Sequence, residues 1–147
     1  MVPQHYYKNE LAELIEQLKA GNLLAVERCI DFFLAETRGL WHGRARAKIC
    51  RNLKNLPLDK RTKDRLVATI VRRLETGNFS EQFKDQLTMA IRFRPCWLHD
   101  SATQLLGSPK GYVQRYASWV LNKINASEAC DEVAAANKAV NRSCRSR

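Results

Sequence analysis

The sequence predicts an all-α protein, and three observations predict it. Apolar residues recur at helical spacing along nearly the whole chain, no short stretch alternates apolar with polar between turn signals, and glycine and proline fall where one periodic segment gives way to the next. The chain has 147 residues, 45% of them apolar, with only six Gly and four Pro. That composition excludes collagenous, linker-like and low-complexity classes. At this length roughly two-thirds of the unfolded surface can be buried, so a core needs no disulfide or metal staple. No apolar run is long enough to span a bilayer. Met1 to Ala20 sets three glutamates among its leucines and lacks an apolar signal core, so a cytoplasmic location is expected.

The first helix is expected over Lys8 to Ala20, where Leu11, Leu14, Ile15 and Leu18 share a face and Gly21 supplies the stop. Asn22 caps the second, which runs to about Glu36 with Leu23, Val26, Ile30, Phe33 and Leu34 inward and breaks at Gly39 to Gly43. A third helix, Arg44 to Leu56, buries Ala45, Ile49, Leu53 and Leu56 and ends before Pro57, because proline disfavours the helical conformation of its predecessor. The fourth begins at Asp59 or Lys60, carries the stripe Leu66, Val67, Ile70, Val71 and Leu74, and stops at Gly77. Ser80 is a good cap for the fifth, which turns in Phe83, Leu87, Ala90 and Ile91. Pro95 opens the sixth at its first position, and that helix ends near Gly107. Ser108 and Pro109 offer a cap and a first-position proline for the seventh, with Val113, Ala117, Val120, Leu121 and Ile124 inward. An alanine-rich eighth helix, from Ser127 to about Val140, has little to bury and is followed by a basic tail. The expected division is therefore a helical-repeat domain over 1–126 and a C-terminal helix or cap with its tail over 127–147.

Eight short helices pair naturally into antiparallel hairpins at 8–37, 44–76, 80–107 and 109–141, lengths that fit a helical repeat. The stretch Ser108-Pro109-Lys110-Gly111-Tyr112-Val113-Gln114-Arg115-Tyr116-Ala117-Ser118-Trp119-Val120-Leu121-Asn122-Lys123-Ile124, preceded by Leu105-Leu106, resembles a bacterial HEAT-like repeat. In that family an Asp-Pro turn leads into a helix of the form Val-Arg-Arg-x-Ala-x-x-x-Leu-x-x-Ile. Here Ser108 stands for the Asp and Gln114 for the first Arg, so the usual ladder of Asp and Arg bonds between repeats does not carry over. The resemblance implies a right-handed stack of about four hairpins, an α-solenoid, whose function is binding along one face.

Charge locates the candidate surface. The chain carries 25 Lys+Arg against 15 Asp+Glu, a net +10, yet residues 1–43 are net −2 and residues 44–75 net +8. Charge focused in a patch attracts a polyanion or an acidic partner. Arg44, Lys48 and Arg51 fall on one stripe of the third helix, and Arg61, Arg65 and Arg72 on one stripe of the fourth. Lys54, Lys60, Lys63 and Arg73 widen the patch. Positions four apart rise about 6 Å along a helix, comparable with the spacing of phosphates on a strand, so such a row can track a backbone without reading bases. The same pattern also fits a solvated face that keeps the protein soluble. Tyr112, Tyr116 and Trp119 line the seventh helix with Arg115 and Lys123 beside them; they can stack on unpaired bases or form the inner face of a repeat helix. Trp41 and Trp97 sit at helix boundaries, where an indole plugs the edge of a core.

Catalytic and metal patterns are sparse. The five cysteines include no Cys-x-x-Cys pair, and with no signal segment they are expected to be reduced thiols. Cys96 and His99 are two ligands where structural zinc needs four, even with His42 considered, so no metal or cofactor is expected. Cys96, His99 and Asp100 drawn as a nucleophilic set lack the direction a base needs and any oxyanion donor. No phosphate-loop, His-Glu-x-x-His or calcium-loop pattern occurs. The expectation is a noncatalytic module that contacts nucleic-acid phosphates through residues 44–73. An alternative is a scaffold for an acidic protein, and a more distant one is a HEAT-like base-excision enzyme, for which no catalytic acid can be matched.

Overall fold

The computed structural model describes residues 8–37, 41–79 and 82–126, which form seven α-helices and no strand. These are α1 (Lys8–Lys19), α2 (Leu23–Leu34), α3 (His42–Leu53), α4 (Lys60–Thr76), α5 (Phe83–Phe93), α6 (Pro95–Leu105) and α7 (Gly111–Ala126). No helix among the described residues is long and apolar enough to cross a membrane. The expected eighth helix and the cap Ser80 lie outside the described residues.

Local chemistry sets most of the boundaries. Leu11, Ile15 and Leu18 bury one stripe of α1, and Gly21 ends it in the left-handed region at φ 83°, where a residue without Cβ is at ease. Asn22 caps α2 as expected, its Oδ1 accepting from the amides of Leu24 and Ala25 at 3.0 and 3.2 Å. Gly77, at φ 72°, closes α4 in the same way as Gly21 closes α1.

Three boundaries depart from expectation. α3 starts at His42 rather than Arg44, so His42 and Gly43 belong to the helix and not to a breaker. Packing outweighs the weak propensity of glycine here: Trp41 stacks on Phe32 with ring centroids 6.1 Å apart, and His42 meets Phe32 edge-on at 5.5 Å. The same helix stops at Leu53, leaving Leu56 half-buried in the link to α4. At the third, α7 begins two residues after Pro109. Ser108 Oγ accepts from the Lys110 amide at 3.2 Å, and the Lys110 carbonyl then receives the amides of Val113 and Gln114. Ser108 therefore makes a turn ahead of the helix instead of capping it.

Contacts between helices alternate. α1 packs on α3, α3 on α5 and α5 on α7, while α2 packs on α4 and α4 on α6; α4 also meets α7 across the two sets, and neighbours in sequence join them, with one exception. α3 and α4 make no close backbone approach, so residues 44–76 do not form the direct hairpin expected of them. α3 packs chiefly against α5, which also receives α4. The core follows from this: α5 is central and buries Phe83, Gln86, Leu87, Met89, Ala90, Ile91 and Phe93. Around it lie Phe32 and Phe33 of α2, Ile49 and Leu53 of α3, Leu66, Ile70 and Leu74 of α4, and Val113, Ala117 and Val120 of α7, each essentially sealed from solvent.

Candidate nucleic-acid interface

The basic positions divide into three environments. On α4, Arg61, Arg65 and Arg72 are exposed along one stripe with Ala68 between them. Among the described residues none of the three has an ion-pair partner. The opposite face of the helix buries Leu66, Val67, Ile70, Val71 and Leu74, so the stripe is held outward by the core beneath it. On α3, Arg44, Lys48 and Arg51 are exposed on a second stripe, and Arg51 Nε lies 3.9 Å from Asp85 Oδ1 on α5. An exposed pair at that distance contributes about 0–1 kcal/mol.

The rows line different grooves. Arg44 and Lys48 border one of about 250 Å³ between α1 and α3, walled by Lys8, Leu11, Ile15 and Trp41. Lys60, Arg61 and Arg65 border another of about 600 Å³ between α4 and α6, with Asp64, Ala68 and Trp97 completing the wall. Arg94 fixes the corner of this second groove: its Nε lies 2.6 Å from Asp64 Oδ1, tying the α5–α6 corner to α4. Lys63 sits against the same corner, its Nζ 5.3 Å from the centre of the Phe93 ring.

Arg73 belongs to neither row. Expected to widen the basic patch, it is instead 4% exposed. Its Nη2 donates to the Phe33 carbonyl at 2.6 Å, its Nη1 to Gln86 Oε1 at 2.9 Å and its Nε to Glu36 Oε1 at 3.0 Å. The guanidinium also lies over the Phe33 ring at 4.8 Å. The planar fork of arginine satisfies three acceptors from α2, the segment after it, and α5 at once. Arg46 works beside it on the same segment, with Nη2 donating to the carbonyls of Ala35 and Thr37 at 2.9 and 2.7 Å. Burial, with the nearby Arg73 charge adding to it, pushes the Arg46 guanidinium down to about 10. His42 Nδ1 lies 2.8 Å from Thr37 Oγ1, and desolvation followed by the Arg46 charge holds its imidazole below its ordinary value.

The aromatic positions of α7 are engaged with their neighbours. Tyr116 meets Phe79 edge-on at 4.8 Å, and the Tyr112 hydroxyl donates to the Gly77 carbonyl at 3.1 Å. Trp119, half-buried, has Lys84 Nζ and Lys123 Nζ over its ring at 5.5 and 5.4 Å. Trp97, read from the sequence as an edge plug, is 38% exposed. A signal for this was present: Leu98, Ala102 and Leu105 form the inward stripe of α6, and Trp97 lies about 100° off Leu98. Cys29 and Cys50 are buried and Cys96 is exposed. Burial pushes the Cys29 thiol up to about 11 and the Cys50 thiol higher still, as befits small hydrophobes rather than nucleophiles.

Among the described residues, two exposed basic rows border different grooves, and one of them is free of ion pairs and bordered by an exposed indole. Compared with known proteins, it matches no family model, no curated protein and no solved structure.

Proposed function

We propose that the protein is a noncatalytic nucleic-acid-binding module on a HEAT-like array of helices, with its phosphate contacts made chiefly by Arg61, Arg65 and Arg72. The observation that carries this is the α4 stripe, whose three guanidinium groups are exposed without carboxylate partners among the described residues. Among the described residues the carboxylate bordering that groove is Asp64, already paired with Arg94. The helix fixes where each guanidinium is rooted, and its planar fork loses less freedom per hydrogen bond formed than an ammonium does, at about 0.5–1.5 kcal/mol per side chain immobilised. The alternation of helix contacts, odd with odd and even with even except where α4 also meets α7, supports the repeat-like array. Arg44, Lys48 and Arg51 form a secondary face, since Arg51 already shares its charge with Asp85.

Salt-dependent binding to labelled DNA and RNA tests this reading. Three phosphate contacts give a slope of about −3 in log K against log salt for duplex DNA. Replacing Arg61 and Arg65 with Glu should abolish binding and leave the fold intact. Absence of any complex at low salt with single-stranded or duplex DNA or RNA would overturn the proposal.

A further inference from the structure

The α4–α6 groove holds more than charge. Trp97 is one of the few large apolar side chains the described surface leaves exposed, and it shares its groove with Lys60, Arg61 and Arg65. Ala68, also exposed, leaves low ground between the arginines and the indole. The groove, about 600 Å³, is shallow and open to solvent, so it can seat the face of a base without enclosing it. Its walls are pinned at the α5–α6 corner by the Arg94–Asp64 pair and by Lys63 against Phe93.

Resting on the phosphate-binding reading above, we propose that this groove selects single-stranded over duplex nucleic acid by stacking one unpaired base on Trp97 while Arg61 and Arg65 hold the flanking phosphates. The selectivity follows from what each form of nucleic acid exposes. In a duplex the base faces are covered by their neighbours and only edges are presented in the grooves. An unpaired base has a free face, and every base has one, so stacking on an indole is sequence-tolerant. Charge complementarity brings the strand to the groove, and the indole then distinguishes its state. Tyr112, Tyr116 and Trp119 are not needed for this step, their rings being engaged at the α4–α5–α7 cluster or beneath lysines.

The test measures affinity of the full chain for a labelled oligothymidylate and for a duplex of equal length, at one low salt concentration. Trp97→Ala should weaken oligothymidylate binding roughly tenfold and leave duplex binding unchanged. Trp97→Phe should restore most of the loss, while Trp97→Leu, which keeps apolar bulk without the aromatic face and guards against misfolding of the alanine variant, should not. If Trp97→Leu and Trp97→Ala bind the oligothymidylate like the parent while Arg61→Glu with Arg65→Glu weakens it, strand selection by Trp97 is refuted and the phosphate reading stands. Equal losses for strand and duplex in the Trp97 variants would also refute it. If the parent binds neither probe, the phosphate reading itself falls, and this inference with it.

Discussion

Arg73 and its neighbours define what a single residue can do in this fold. Removing a buried arginine leaves the Phe33 carbonyl and Gln86 without their donor, and hydrogen bonds to charged groups are individually worth about 1.5–3 kcal/mol. Because Glu36 is half exposed and regains water, Arg73→Ala should cost about 3 kcal/mol, a fall of roughly 10 °C in thermal midpoint. Arg73→Lys should recover little of it, since an ammonium cannot reach three acceptors in one plane. Calorimetry of both variants checks this, and a midpoint within a degree or so of the parent would show that the network adds nothing. His42 sets a pH dependence at the same locus. Its folded value is held below the ordinary 6.5, so on acidification the unfolded chain takes up the proton first. Stability is therefore full above the unfolded value and is lost as pH falls through it toward the folded one. Melting between about pH 8 and about pH 5 should show a decline that His42→Gln flattens. None of this was legible in the sequence, where Arg73 reads as one more cation in a run; three acceptors meeting from α2, α5 and the segment after α2 is a property of the packing.

Helices, by contrast, were legible almost to the residue at most boundaries whose determinant is local. The apolar stripe of α4, the cap at Asn22 and the stop at Gly77 all come from side chains within one or two turns of the feature they fix. Of the boundaries that moved, the start of α3 is set from outside, where Phe32 draws in Trp41 and His42, whereas the start of α7 moved because Ser108 closes a local turn with Lys110. Gly77 has a tertiary role besides its local one. A Cβ there would overlap the hydroxyl of Tyr112, and the backbone is already left-handed. Gly77→Ala should thus cost about 1–2 kcal/mol from backbone strain alone, and more if Tyr112 loses its bond to the Gly77 carbonyl. Chemical denaturation of Gly77→Ala and Tyr112→Phe, the second expected to lose about 1 kcal/mol, separates the two contributions; an alanine variant as stable as the parent would remove the left-handed stop from the account.

At the scale of the whole molecule, the sequence located the charge but not its geometry. Helical spacing alone aligns Arg61 with Arg65 and Arg44 with Lys48, and both alignments are present in the fold. Whether α3 and α4 face one way depends on their packing, and with α5 taken up by both, their rows border separate grooves. Charge reversal on the two rows should therefore have unequal effects. Arg61→Glu with Arg65→Glu should eliminate nucleic-acid binding, whereas Arg44→Glu with Lys48→Glu should weaken it only several-fold, through the general field. Titrations with one labelled probe decide it, and equal losses would mean that a ligand spans both faces.

The Arg94–Asp64 pair, which braces the α5–α6 corner against α4, is also a muzzle. Asp64 borders the α4–α6 groove beside Arg61 and Arg65, and a carboxylate there is an internal rival to any incoming phosphate. Arg94, reaching over from the next corner, keeps that rival occupied. Arg94→Gln should turn Asp64 loose on the arginines of its own helix and lower affinity several-fold at low salt, with no ligand contact removed. Adding Asp64→Asn should give the affinity back; if it does not, the pair is only a brace. With affinity restored by Asp64→Asn, the groove's appetite for anions is set by a residue that never meets one.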